Sequence, residues 1–247
     1  MSTPENPPAP APLTPGFAVM SVTPDDQTAC VAAMLIARLA QDGANVAAMV
    51  PVETGIDDPC EPGSRGALVR WAAGHLDDPR LVTPFALEAH RPAMHAADAD
   101  GTLLHSAAFD RARESLCDGR TTLVICDAVG LLDPITPSLT MLDLVTRWAL
   151  SAVIVEPVSR WAVGHIQLLT SVLLTREVPI AGVILSPRAT GDATDDAAVI
   201  AMQETLAATL DCPVLLAPSV LSVHDRGELL TAADVCGLHR VIRRSAH

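Results

Sequence analysis

Three short stretches of this 247-residue chain carry residue types that could handle an anion or a metal ion. The first is Ser21-Val-Thr-Pro-Asp-Asp-Gln-Thr-Ala29, a turn between an apolar run and a helix-forming segment. A helix start presents unpaired N–H groups and the positive end of the helix dipole, so such a turn is a natural seat for an anion. Here Thr23 suits the N-cap, Pro24 the first helical position, and Asp25 and Asp26 stand in the first turn. Those carboxylates give the helix an anion of its own. The second stretch, Leu123-Val-Ile-Cys-Asp127, is an apolar strand ending in an acid. Asp127 can hold a divalent cation there, or it can simply cap the strand end. The third is Thr54-Gly55, where a hydroxyl and a turn glycine follow another apolar run. That pair can face a substrate, and it is also ordinary turn chemistry.

Other candidates carry less. His90 and His95 are the nearest thing to a ligand pair among eight histidines, but Pro92 between them prevents the one-turn helical geometry such a pair needs. Six cysteines are scattered without a C-x-x-C pair, which reads as reduced thiols more readily than as zinc ligands or disulfides. Cys126 stands at a strand end but has no base paired with it in sequence, so a buried thiol is the better reading. There is no G-x-S-x-G elbow and no H-E-x-x-H helix.

Positioning these residues requires a layered scaffold. Apolar runs at 17–22, 45–50, 121–126, 152–156, 180–185 and 213–216 read as buried strands. Between them, amphipathic stretches at 25–42, 66–75, 103–117, 139–148, 162–176 and 195–210 read as helices. Alternation of this kind predicts a doubly wound α/β domain with a mainly parallel sheet and helices on both faces. Ligands in such sheets bind beyond the carboxyl ends of the strands, where the turns after Val22, Val50 and Cys126 lie. Residues 1–16 hold six prolines among small polar residues and are expected to be a disordered tail; 17–247 are expected to form one domain.

In order and spacing, the segment from Phe17 to Pro218 resembles the dethiobiotin synthetases. That family has a strand, the phosphate loop G-T-D-T-G-V-G-K-T, and then a helix. Met49-Val-Pro-Val-Glu-Thr-Gly55 is similar to its K-P-V-x-T-G, with Val50 at the lysine. Leu81-Val-Thr-Pro-Phe-Ala-Leu-Glu-Ala-His-Arg-Pro92 looks like its Pro-rich segment, and Leu123 to Ile135 like its V-E-G-A-G-G-x-x-x-P-L stretch. Val163-Gly-His-Ile-Gln-Leu-Leu169 looks like its I-N-H-x-x-L-T helix, and 180–185 like its fifth strand. The resemblance implies a P-loop NTPase fold, ATP and Mg²⁺ as cofactors, and ring closure of 7,8-diaminopelargonate with CO₂. It also implies a homodimer through the helix at 162–176, where His165 packs and Gly164 replaces an asparagine of the neighbouring subunit's substrate pocket.

The departures from that pattern run in one direction. Every glycine of the phosphate loop is replaced, and a phosphate cradle needs glycines so that successive N–H groups can converge. The loop lysine aligns most simply with Thr28, otherwise with Gln27, which makes Thr28 a vestigial cofactor-binding position. All 16 basic residues are arginines, so no lysine exists anywhere to replace it. The second lysine is Val50. One metal-binding acid aligns with Arg65, the other with Cys126, and the adenine-reading asparagine with Ser186. What remains is Thr54 facing substrate and Asp127, which can serve catalysis and metal binding only through a one-residue shift. The expectation is therefore a catalytically impaired member, retained as a dimeric binding or partner protein linked to biotin synthesis. A working synthetase with an unconventional phosphate and metal site is the alternative. A third possibility is an acidic cleft that takes an uncharged or cationic small molecule.

A formal net charge of −13 argues against nucleic acid and against an anionic membrane surface as partners. No apolar run approaches the ~20 residues of a membrane helix, and no basic segment precedes an apolar one at the start. The expected place is the cytoplasm.

Overall fold

The computed structural model describes residues 13–22, 26–74, 76–187, 196–220 and 222–244. The expected caps and acids Thr23, Pro24 and Asp25, the side chain of Asp26 and the Pro-rich residues 1–12 lie outside the described residues.

Six parallel strands make the main sheet: β1 (Gly16–Met20), β2 (Val46–Met49), β5 (Thr122–Cys126), β8 (Ser151–Pro157), β9 (Ile180–Ser186) and β10 (Val214–Leu216). Their order is β10-β9-β8-β1-β5-β2. Each was expected as an apolar run, because a strand covered on both faces has no polar side to alternate. Small corrections apply at the ends. β1 begins at Gly16, which pairs with Leu123, so the sheet claims a residue assigned to the tail. A Cβ on Gly16 would stand 2.0 Å from the Leu123 carbonyl oxygen, so only glycine fits there. β1 also ends at Met20, leaving Ser21 and Val22 to the turn.

Helices supply the outer layers: α1 (Asp26–Gln41), α2 (Arg65–Ala72), α3 (Pro79–Val82), α4 (Ala93–Asp100), α5 (Ser106–Cys117), α6 (Met141–Arg147), α7 (Ala162–Thr175), α8 (Asp196–Thr209), α9 (Arg226–Cys236) and α10 (His239–Arg244). Two small pairs complete the list, parallel β3 (Val52–Thr54) with β4 (Phe85–Leu87) and antiparallel β6 (Pro134–Thr136) with β7 (Leu139–Thr140). α1 is buried almost all round from Thr28 to Ala37. It packs on β1, β2, β5 and β8 beneath α2 and α9, which is why its sequence is apolar on every face. The helix expected from 139 starts only at Met141, because Leu139 and Thr140 pair with β6. Thr140 then forms a capping box with Asp143. Pro92 ends one segment and α4 starts at Ala93, so His90 and His95 are not a helical pair. The stretch 103–117 is helical only from Ser106.

The apolar stripe of α7 is largely used within the chain. Ile166, Leu169 and Leu173 are buried against its own core, and Val163 and Val172 are half-buried. A different set faces outward: Leu168 is 67% exposed, Leu174 64%, and the adjoining Trp161 58%.

Candidate functional site

β1 lies between β5 and β8, where the chain reverses its direction of growth across the sheet. A crevice opens there beyond the strand ends. A cleft of about 460 Å³ occupies it, walled by Val22, Thr54, His90, Arg91, Gly130 and Asp133 among others. Thr54 and the loop after Asp127 therefore meet in one place, as their positions in sequence implied. The left-handed Gly55 (φ +82°) makes the wall possible: a Cβ there would stand 2.7 Å from His90 Nδ1.

Asp127 lies beneath the cleft, only 2% exposed. Its Oδ1 accepts hydrogen bonds from the amides of Val129 and Gly130, both at 3.1 Å, so it caps its own loop. Its Oδ2 is buried without a hydrogen-bond partner. Burial pushes its carboxyl up from 3.8 to about 6, against the pull of those two amides and of Arg65. Cys126 is wholly buried, and burial drives its thiol far above the ordinary range, with Arg65 opposing. A nucleophilic role is thereby closed to it.

Thr28 is fully buried, its hydroxyl 3.4 Å from Ser21 Oγ at the end of β1. Val50 is fully buried too, with its amide donating to the Val82 carbonyl at 2.8 Å. Neither is among the residues that wall the cleft. Ser186 ends β9, buried, with its hydroxyl unpartnered.

One residue of the site escaped the sequence reading. Glu53, only 3% exposed, accepts from the Arg65 amide at 2.7 Å and the Gly66 amide at 3.0 Å. Ser64 Oγ accepts from Ala67 N at 3.0 Å. The first turn of α2 is thus satisfied entirely by the protein's own oxygens, and its anion seat is filled. His165 Nδ1 similarly meets buried Glu156 Oε1 at 2.7 Å, tying the start of α7 to the end of β8. Acids at such spots give no signal in sequence until the tertiary neighbours are known.

These residues do not fit a divalent cation. Both Glu53 oxygens are taken by amides, Asp127 has one oxygen left, and Arg65 stands close enough to bias Asp127 electrostatically. Among the described residues no three His, Cys, Asp or Glu side chains come together as metal ligands.

Comparison with known proteins agrees with the scaffold. The profile of the AAA domain family matches residues 28–218, so β1 and the turn after it fall outside the match. The ATP-dependent dethiobiotin synthetase BioD of Novosphingobium aromaticivorans is 35% identical over 158 residues, covering 62% of this chain and 69% of that protein. The chain belongs to the dethiobiotin synthetase family. Another member of the family, the BioD of Anaeromyxobacter dehalogenans, is 28% identical over 188 residues, covering 76% and 82%. For the BioD of Rhizorhabdus wittichii, 31% identical, the match covers 54% of this chain and 59% of the relative. A plasmid partition protein of Borrelia burgdorferi shares the fold at a TM-score of 0.51 and 12% identity, over 91% of this chain and 98% of that one. Among the described residues no helix is long and apolar enough to cross a membrane.

Proposed function

We propose that this chain is a cytoplasmic dethiobiotin synthetase-like protein linked to biotin synthesis that has lost ATP-dependent ring closure and acts as a dimeric binding or partner protein. The observation that carries the reading is the filled anion seat of α2: Glu53 binds the two amides left bare at a helix start, with Arg65 at the family's metal-ligand position. Buried Val50 at the second lysine position supports it, as does the complete lack of lysine. So does Thr28, a vestige of the phosphate loop whose hydroxyl meets Ser21.

Thermal unfolding with Mg·ATP tests the loss. A ligand specific for the folded state adds RT ln(1 + [L]/Kd), about 2.7 kcal/mol at a hundredfold excess. An intact micromolar site would therefore shift the melting temperature plainly at millimolar nucleotide. No measurable shift is expected. A second reading, a working synthetase with an unconventional phosphate and metal site, draws support from one atom, the unpartnered Oδ2 of Asp127, whose next residues Ala128, Val129 and Gly130 line the cleft. A clear Mg·ATP-dependent shift that disappears in Asp127→Ala would establish it and end the first.

The partner role rests on α7. Its outward Leu168, with the adjoining Trp161, forms an apolar surface that a second copy can cover about a twofold axis. Light scattering at micromolar concentration should give twice the chain mass, and Leu168→Glu should give the single-chain mass. A monomer in the unmodified protein would defeat this part of the proposal.

A further inference from the structure

A second cavity, of about 570 Å³, lies at the opposite end of the sheet. Ser151 and Ile180, the first residues of β8 and β9, line it, so it is separated from the Thr54 cleft by the length of those strands, about 20 Å. Its volume falls in the range of small-molecule sites. Its walls are mainly aliphatic: Leu174 of α7, Val178 and Ile180 before and at the start of β9, and Leu210 just after α8.

Ser151, Thr170, Thr209, Asp211 and Arg244 break that apolar lining, and two of them, Thr170 and Arg244, have donors left for a ligand. The first is Thr170 on α7, which lines the cavity, is only 8% exposed, and has a buried hydroxyl without any hydrogen-bond partner. Helical hydroxyls in this chain ordinarily donate to the carbonyl four residues back. Thr146, Ser171, Thr175, Thr205, Thr209 and Thr231 all do so. Thr170 forgoes that bond with its oxygen shielded from water, so a rotation about χ1 toward the cavity would give the hydroxyl to a ligand oxygen without breaking any existing hydrogen bond. The second is Arg244 at the end of α10. Its guanidinium touches Asp211 Oδ2 at 3.2 Å, but Asp211 is fully exposed and such surface pairs are weak. A guanidinium has five N–H donors, so further acceptors can be served without displacing Asp211. α10 carries Arg240, Arg243 and Arg244 within six residues, a positive spot on a chain of net charge −13.

An aliphatic pocket with a guanidinium and an unpaired hydroxyl selects a ligand with an apolar body and an anionic oxygen-bearing head. The geometry points to a binding site for a small aliphatic monocarboxylate between α7, α8, α10 and the amino ends of β8 and β9. Arg244 holds the carboxylate, Thr170 donates its hydroxyl hydrogen to a ligand oxygen, and the alkyl chain displaces water from Leu174, Val178 and Leu210. Nothing in this assignment depends on what the cleft at the other end of the sheet does.

Isothermal titration of the full chain with octanoate near neutral pH tests the site. Saturable binding with a Kd below about 1 mM is expected, an affinity within reach of a ligand of that size. 1-Octanol has the same chain without the charge and should bind about tenfold more weakly or worse. Arg244→Gln should weaken octanoate to a similar degree. Thr170→Val keeps the side-chain shape and removes the hydroxyl. It should weaken octanoate about three- to tenfold while raising the melting temperature of the unliganded protein, since the unpaired group is gone. Absence of saturable octanoate binding up to several millimolar overturns the proposal. So does equal binding of octanoate and octanol by the unmodified protein, which would mark adsorption to exposed apolar surface.

Discussion

Replacing Glu53 by alanine should lower the unfolding free energy by about 3 kcal/mol, read as an earlier urea midpoint. Two amides, Arg65 N and Gly66 N, lose a buried carboxylate acceptor, and the Ser64 hydroxyl beside them already serves Ala67. Each buried amide left unpaired costs about 1–3 kcal/mol, and the negative charge at the helix start adds about 0.3–1 more. Glu53→Gln keeps an acceptor but loses the charge and one of the two bonds, so roughly half the loss should return. The substitution also probes function. If Glu53 fills the seat that an anion would otherwise use, Glu53→Ala should gain stability from millimolar phosphate that the unmodified protein does not gain. A loss below about 1 kcal/mol would mean that water serves those amides as well as the carboxylate does. The start of α2 would then be open, and the support it lends to lost ATP-dependent ring closure would go with it.

The scaffold was readable in sequence because a parallel sheet writes its strands as apolar runs, and all six runs became strands of the main sheet. What was not readable is local and short. β3 and β4 are three residues each, and α3 is a single turn, too brief for any period to show. α9 carries its own signals, Asp225 capping the amides of Gly227 and Glu228 and left-handed Gly237 ending it, yet no strand follows to frame it. At the site, Asp127 could be found because an acid at a strand end is visible as a pattern. Glu53 could not, because its importance comes from α2 arriving with bare amides across a loop of ten residues. Which way each face of α7 turns was not readable for a related reason. Helical spacing places Ile166, Leu169 and Leu173 on one side, and only the fold decides that this side meets β8 and β9.

Asp127→Asn should stabilise the protein at pH 8 by about 3 kcal/mol and leave it nearly unchanged at pH 4. The carboxyl of Asp127 in the folded protein lies near 6, above its ordinary value of 3.8, because burial penalises the charged form more than two amides and Arg65 favour it. The folded state therefore holds the proton more tightly than the unfolded chain does. That contribution to stability is complete below about pH 4 and is lost as pH rises through 6, and a gap of about two units corresponds to about 3 kcal/mol. Asparagine stays neutral throughout and keeps an oxygen for the Val129 and Gly130 amides, so its stability should not carry that slope. The quantity to measure is the difference between the two proteins across pH 4 to 8, by urea unfolding at each pH. Parallel curves would mean that Asp127 is already charged at little cost, with a cation or water reaching Oδ2. Repeating the pH 8 measurement with millimolar Mg²⁺ separates the functional readings. If Mg²⁺ closes the gap by stabilising the unmodified protein alone, Asp127 is a metal ligand and the working-synthetase reading gains its missing site. If the gap stays open, the carboxylate is a buried loop cap whose charge is a liability, as expected where the machinery around it has been lost.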